Sequence, residues 1–344
     1  MNSYLSDILA QPEALRRAIN AYSPDTFETI THRLGKGDFD RIVITGMGAS
    51  YNAAYPAYLQ LSNLSIPVML VNAAELVHYS HGLISSRTLL WLNSQSGRSA
   101  ELVHLLDKIK STPPATIVSF VNDTNSPLAS AASLCQPIYA GVENAVSTKT
   151  YLNMMALNLL ASLEILGENI AETKNKLLDA SKEMDHYLAD WQERRDDLDV
   201  LLGDFTDLFI LGRGTSLSTV WNGALISKEA AKATFEGMHC ADFRHGPLEL
   251  VEPGLIALVL AGPAHTSELN HDLALEIAIL GGRSCWLDSM PDAEVPTILI
   301  PKANEIALPL VEILPLQMLS LVMADRKGLQ AGQFRHITKI TTKE

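Results

Sequence analysis

Two segments of this 344-residue chain carry one signature: Ile42-Val-Ile-Thr-Gly-Met-Gly48 and Leu208-Phe-Ile-Leu-Gly-Arg-Gly214. Each is an apolar run closing in Gly-x-Gly-x-Ser, at Ser50 and Ser216, and Gly212 follows Gly46 by 166 residues, close to half the chain. Leu89–Asn93 and Leu255–Leu260 are further apolar runs at nearly that offset. Recurrence at this period predicts an internal duplication of one α/β domain.

The segments between support that reading. Residues 3–20 and 25–36 have helical patterning, and the strand ending at Gly48 leads into an Ala/Tyr-rich helix over about 50–61. Val68–Val71, Leu89–Asn93, Ala115–Phe120 and Gln136–Tyr139 read as strands, separated by helical stretches near 73–78 and 99–110. Strands alternating with helices of 10–15 residues imply βαβ units and a parallel sheet covered on both faces. Residues 148–200 have helical periodicity with no strand signal, and the strand–loop–helix pattern restarts at Leu208. The expected organisation is N-terminal helices over 1–38, a first domain over 39–170, a helical connector over 171–200, a second domain over 201–330 and a tail over 331–344.

Composition bounds the partners. With 26 Lys plus Arg against 39 Asp plus Glu, the formal net charge is −13, and no basic run is present. Such a chain is poorly suited to nucleic acid or an anionic membrane surface. Any phosphate must be held locally, by backbone N–H groups and hydroxyls. The N-terminus lacks the basic start and apolar core of a signal peptide, and no run of about 18 apolar residues escapes charge, Pro or polar breaks. Cys135, Cys240 and Cys285 stand apart, which fits a reducing, cytoplasmic setting.

A strand ending in Gly-x-Gly-x-Ser before a helix places backbone N–H groups and a hydroxyl at a positive helix terminus, a ready anion site. Two rival motifs fail. Tyr51 and Leu217 stand where a dinucleotide fingerprint needs its third Gly, and the Gly-Lys-Ser/Thr of a P-loop is absent. Ser94-Gln-Ser-Gly-Arg-Ser99 puts three hydroxyls and an amide between a strand and a helix start. One Ser would suffice as a cap; three favour phosphate at the carboxyl end of a parallel sheet. Ser147-Thr-Lys-Thr150 also opens a helix, and by itself reads as a cap. Glu229 in an Ala-rich helix and His245 before Gly-Pro supply the carboxylate and imidazole that proton transfer beside a carbonyl requires. Spacing alone favours a structural role for each, a solvated helix carboxylate and a turn histidine.

Taken in order, Gly46-x-Gly-x-Ser50-Tyr-Asn-Ala-Ala, Ser94-Gln-Ser-Gly-x-Ser99, Val146-Ser-Thr-Lys-Thr150, Gly212-Arg-Gly214, Gly223-Ala-Leu-x-x-Lys-Glu229 and His245-Gly-Pro-Leu resemble the sugar isomerase (SIS) domain family. The resemblance runs from about residue 40 to the C-terminus. It is to the double-domain branch, which holds the isomerase half of glutamine–fructose-6-phosphate amidotransferase and SIS-type glucosamine-6-phosphate deaminases and deglycases. It implies an α/β fold of two tandem SIS domains, each a parallel sheet flanked by helices in a flavodoxin-like three-layer sandwich.

By the same resemblance, Gly48, Ser50, Ser94, Gln95, Ser96 and Ser99 bind the sugar phosphate, and Ala145 lies at a family backbone contact. Glu229 matches the base that moves a proton between C1 and C2. His245 matches the ring-opening histidine that family members supply from a neighbouring subunit, which implies a homodimer with shared active sites. Lys339, in Arg335-His-Ile-Thr-Lys339, matches the tail lysine that reaches the sugar.

Two departures separate this chain from the amidotransferase. Residues 1–38 are too short for a glutaminase domain, with Asn2 after Met1, and Ile226 replaces a lysine three residues before Glu229. Cys240-Ala-Asp-Phe-Arg-His-Gly-Pro247 is closer to the deaminase and deglycase branch. The expected activity is therefore deamination–isomerisation of an amino-sugar 6-phosphate, or deglycation of a fructosyl-amine 6-phosphate. Plain aldose–ketose isomerisation and a non-catalytic sugar-phosphate sensor are the alternatives. No metal or organic cofactor is implied, since the ten histidines show no ligand spacing.

Overall fold

A computed structural model describes residues 2–336 together with Thr338 and Lys339. The chain forms two compact units. One contains the residues up to Pro12, Asn144–Val146 and Lys176–Phe334; the other contains Glu13–Glu143, Ser147–Asn175 and the residues from Arg335.

The second of these is built on β1 (Arg41–Gly46), β2 (Val68–Asn72), β3 (Thr88–Asn93), β4 (Thr116–Val121) and β5 (Leu134–Pro137), all parallel, in the order β2-β1-β3-β4-β5. Both faces are covered, so β3 is buried at every residue and alternate side chains feed two cores. Val43, Leu90 and Leu92 pack with Leu102, Leu105 and Leu128 on one side. On the other, Trp91 stacks on Phe27 and Phe120, with ring centroids 5.5 and 5.1 Å apart. There the helices Gly48–Leu61 and Lys149–Ile165 pack against each other.

The other unit contains β6 (Asp207–Gly212), β7 (Glu236–His239), β8 (Leu255–Leu260), β9 (Arg283–Asp288) and β10 (Thr297–Leu299), in the order β10-β9-β8-β6-β7. Read from β7, this is the order of the first sheet, with β6 in the place of β1 and β8 in that of β3. The repeat seen in the sequence is thus a repeat of topology. Both sheets have the flavodoxin-like order 2-1-3-4-5.

The sequence pattern does not single out β7, β9 or β10. Glu236-Gly-Met-His239 has no β-branched residue. A Cβ on Gly237 would sit 2.6 Å from the Val220 carbonyl, so the strand is placed by close approach to the helix Leu217–Ala231 and not by propensity. The expected connector is helical, as Ile170–Ala189 and Trp191–Leu202. One helix, Glu305–Arg326, has a window of mean hydropathy 1.9, long enough to cross a membrane, but 89% of that window is buried and Glu312 lies within it. It is a core helix.

Candidate functional site

In an open parallel sheet, ligands bind where successive connections leave in opposite directions. In the first sheet that place is between β1 and β3, whose last residues, Gly46 and Asn93, are paired. The loops that come after them, 47–50 and 94–99, hold the six residues expected to grip phosphate.

Two glycines permit the β1 loop. A Cβ on Gly46 would lie 2.9 Å from the Asn93 carbonyl, and Gly48 has φ +52°. Both are positions where other residues are strained. The helix Gly48–Leu61 starts after Met47, which provides no side-chain cap. The Met47 carbonyl accepts the Ser50 N–H at 3.1 Å, which leaves the half-buried Ser50 hydroxyl as that residue's group for a ligand.

In the β3 loop the serines do not serve as a helix cap. Ser99 is the N-cap of the helix Ala100–Lys108, yet its side chain makes no capping bond. It lies 3.1 Å from the Ser94 hydroxyl, which also accepts the Gly97 N–H at 3.1 Å. Ser96 accepts the Arg98 N–H at 3.1 Å, and the Gln95 carbonyl takes the Asn122 N–H at 2.9 Å. Gly97 has φ +61°. Arg98 pairs with Asp123 at 2.9 Å and also donates to the Asn125 carbonyl, tying this loop to the one after β4. The Asn125 N–H, first, and then the Arg98 guanidinium hold the Asp123 carboxyl below its usual range. Behind the loop a buried chain runs from Trp91 Nε1 to Asn158 (2.6 Å), from Asn158 to Asn93 (2.9 Å), and from Asn93 to the Thr45 carbonyl (3.3 Å).

The Ser147–Thr150 cluster has another acceptor. The fully buried Glu143 carboxylate takes the N–H and hydroxyl of Thr148 at 2.9 and 3.0 Å, and those of Thr150 at 3.1 and 2.6 Å. Lys339 Nζ completes this set, 2.6 Å from Glu143 Oε2. Glu143 is not evident from sequence. Its one signal is a carboxylate five and seven residues before two threonines at a helix start. The rest of the expected tail beyond Lys339, and Ile337, lie outside the described residues.

The remaining expected residues belong to the other unit. Glu229 is half-buried near the end of the helix Leu217–Ala231, where its carbonyl accepts from Lys232 Nζ. His245 is exposed, just beyond the short helix Cys240–Phe243, and its N–H bonds the Asp242 carbonyl. Ala145 is buried, as is Ile226. Among the described residues, no group of three His, Cys, Asp or Glu side chains converges as metal ligands.

Of the duplicated loops of this unit, the one after β8 lacks the hydroxyls and the one after β6 buries its serine. Where Ser94-Gln-Ser-Gly follows β3, Ala261-Gly-Pro-Ala follows β8. Ser216, the counterpart of Ser50, is fully buried and donates to Glu312 Oε1 at 2.7 Å. Burial pushes the Glu312 carboxyl up to about 7, against the pull of that hydrogen bond. In the first copy Ser94 and Ser96 are buried while Ser50 and Ser99 are half-buried; in the second, Ser216 is wholly inside.

A flavodoxin-like sheet with a hydroxyl-rich loop at its switch point defines the class of this unit. Residues 38–163 match the model of the SIS domain. The chain is 31% identical over 348 residues to the glutamine–fructose-6-phosphate aminotransferase (isomerizing) of Pyrococcus horikoshii, covering 99% of this chain and 57% of that relative's length. The fold matches the C-terminal domain of glucosamine-fructose-6-phosphate aminotransferase from Francisella tularensis, with TM-score 0.79, 24% identity and coverage of 97% and 98% of the two chains. It also matches glucosamine-6-phosphate deaminase from Thermotoga maritima, with TM-score 0.77, 20% identity and coverage of 98% and 99%. The chain thus carries a SIS domain.

Proposed function

We propose that this protein is a phosphosugar enzyme that deaminates and isomerises an amino-sugar 6-phosphate, or releases the amine from a fructosyl-amine 6-phosphate. The observation that carries the phosphate assignment is Ser99: it occupies a helix N-cap yet turns its hydroxyl onto Ser94 instead of capping. Together with Ser50 and Ser96, these hydroxyls and the helix N-terminus at Gly48 offer donors to a dianion in a chain of net charge −13.

The family resemblance supplies the chemistry. His245 opens the ring by proton transfer at the ring oxygen. Glu229 takes the C2 proton and returns it at C1, through a cis-enediol or enolamine, or moves it in the reverse direction. Water then adds to the imine carbon and the amine leaves: a 2-amino aldose phosphate plus water yields a ketose phosphate plus ammonia, and a fructosyl-amine 6-phosphate plus water yields an aldose phosphate plus the amine. A single carboxylate on a helix suits a proton moved between adjacent carbons. The Cys240–Pro247 stretch favours the deaminase and deglycase branch over amide transfer. The exposed position of His245 suits a residue supplied to a neighbouring subunit, so the working state is a homodimer, which sedimentation of active enzyme would test.

The deciding experiment incubates the protein with glucosamine-, galactosamine- and fructosyl-amino-acid 6-phosphates and measures amine release together with the sugar phosphate formed, a ketose from the first two and an aldose from the third. Glu229→Gln keeps the volume but cannot accept a proton, and is expected to lower kcat by about 10²–10⁴-fold with KM near that of wild type. Interconversion without amine release would replace this reading with plain isomerisation. Tight binding without turnover would replace it with a sensor.

A further inference from the structure

We propose that Glu143 is a positioning residue that docks the C-terminal tail through Lys339. Its two carboxylate oxygens accept five hydrogen bonds: Oε1 takes Thr148 N–H, Thr148 Oγ1 and Thr150 N–H, and Oε2 takes Thr150 Oγ1 and Lys339 Nζ. An ionised carboxylate offers about four lone-pair positions, so the acceptor is fully used. Four of the donors come from the first turn of one helix and its approach. The fifth arrives from 196 residues away and brings the balancing charge.

The division of labour follows from the geometry. Thr148 holds the N-cap place with φ −131° and ψ −79°, and its side chain does not cap. Glu143 does that work from five residues upstream through Oε1, and Oε2 is left to face the lysine. The Glu143 side chain is 0% exposed and that of Lys339 is 19% exposed, so the pair is shielded from water and from salt. Among the described residues the tail beyond Phe334 has no helix or strand. A segment without backbone ladders is placed by side-chain contacts, and a shielded ion pair is a strong one. Glu143 thus fixes where Lys339 stands before any substrate arrives. Docking is independent of the activity proposed above, and only its kinetic readout rests on that reading.

Glu143→Gln separates the two tasks. Its amide oxygen can keep the Oε1 bonds to the helix, while the NH2 in place of Oε2 can donate to Thr150 Oγ1 but confronts the lysine with a donor. Lys339→Gln breaks the pair from the other side and leaves the cap untouched. Tryptic cleavage after Arg335 in the full chain, read by mass spectrometry, is expected to accelerate at least tenfold in both variants. Acetylation of Lys339, measured against Lys110 and Lys182, is expected to rise at least tenfold in Glu143→Gln. Amide exchange of the helix Lys149–Ile165 is expected to stay as in wild type.

With a turned-over sugar phosphate, each variant is expected to lose tenfold or more in kcat with KM within twofold. The double variant should be no slower than Lys339→Gln alone. Unchanged cleavage after Arg335 in either variant would overturn the docking role. So would helix exchange that rises together with tail release, since Glu143 would then be a cap and nothing more. Cleavage and labelling need no substrate, so they decide the docking role even if the proposed reaction fails.

Discussion

Replacing Gly97 with Ala tests the loop after β3 at its tightest point. At φ +61°, a side chain costs about 1–2 kcal/mol in the left-handed region. The added Cβ would lie 2.5 Å from Ser126 Cβ, and closer still to its Oγ, so something must shift. Ser126 has little room to give. It is fully buried and caps the helix Pro127–Ala131 by accepting the Ala129 N–H. Overpacking of this kind costs roughly 1–3 kcal/mol, which with the backbone term gives about 2–5 kcal/mol.

Gly37 provides the control. Its φ is +75°, and nothing lies within 4 Å of where a Cβ would stand, so Gly37→Ala should lose only the backbone part, about 1–2 kcal/mol. Equilibrium urea unfolding followed by circular dichroism measures both. Adding Ser126→Gly to Gly97→Ala removes the obstruction, so the two changes should cost less together than their sum. If Gly97→Ala is no more destabilising than Gly37→Ala, or the pair is additive, the steric argument is wrong.

Other outcomes are expected from the same structure. Ser94→Ala with Ser96→Ala should weaken sugar 6-phosphate binding by about 1.5–3 kcal/mol per lost charge-assisted hydrogen bond, and should also lower the unfolding midpoint, because each hydroxyl accepts a loop N–H; isothermal titration of the folded variant giving wild-type affinity would refute the phosphate site. Glu312, raised to about 7 in the fold, favours the folded state while protonated. That contribution is complete below the unfolded value near 4.5 and is lost as pH rises through about 7, a swing on the order of 3 kcal/mol. Glu312→Gln should flatten the dependence of unfolding free energy on pH between about 5 and 8, and an equal slope in both proteins would contradict it.

The α/β alternation and the duplication were legible because parallel strands buried on both faces read as unbroken apolar runs, as in Leu89–Asn93 and Leu255–Leu260. β7 and β10 were not, because Glu236–His239 and the three-residue Thr297–Leu299 owe their pairing to neighbours and not to their own composition. The hydroxyl loop was legible in Ser94–Ser99 because three serines exceed what a cap needs. The mutual use of Ser94 and Ser99 was not, since only the path of the loop decides where a hydroxyl turns. Glu143 was hidden for a similar reason. Between Val142 and Asn144 it reads as a surface carboxylate, and only the fold brings Lys339 to it.

The helix Ser3–Leu9 and the residues up to Pro12 have a consequence for how the molecule is made. Tyr4 bonds Ser320, and Gln11 exchanges two 2.8 Å hydrogen bonds with Gln317 inside one compact unit, with every one of these side chains buried. Translation proceeds at about 5–20 residues per second, so the first helix emerges roughly 15–60 s before the 306-residue-distant partner of Gln11 exists. During that interval a newly made Tyr4, Leu5 and Ile8 must wait in water or in a chaperone's keeping. A ribosome stalled midway through this message would hold an N-terminal segment with nowhere to go.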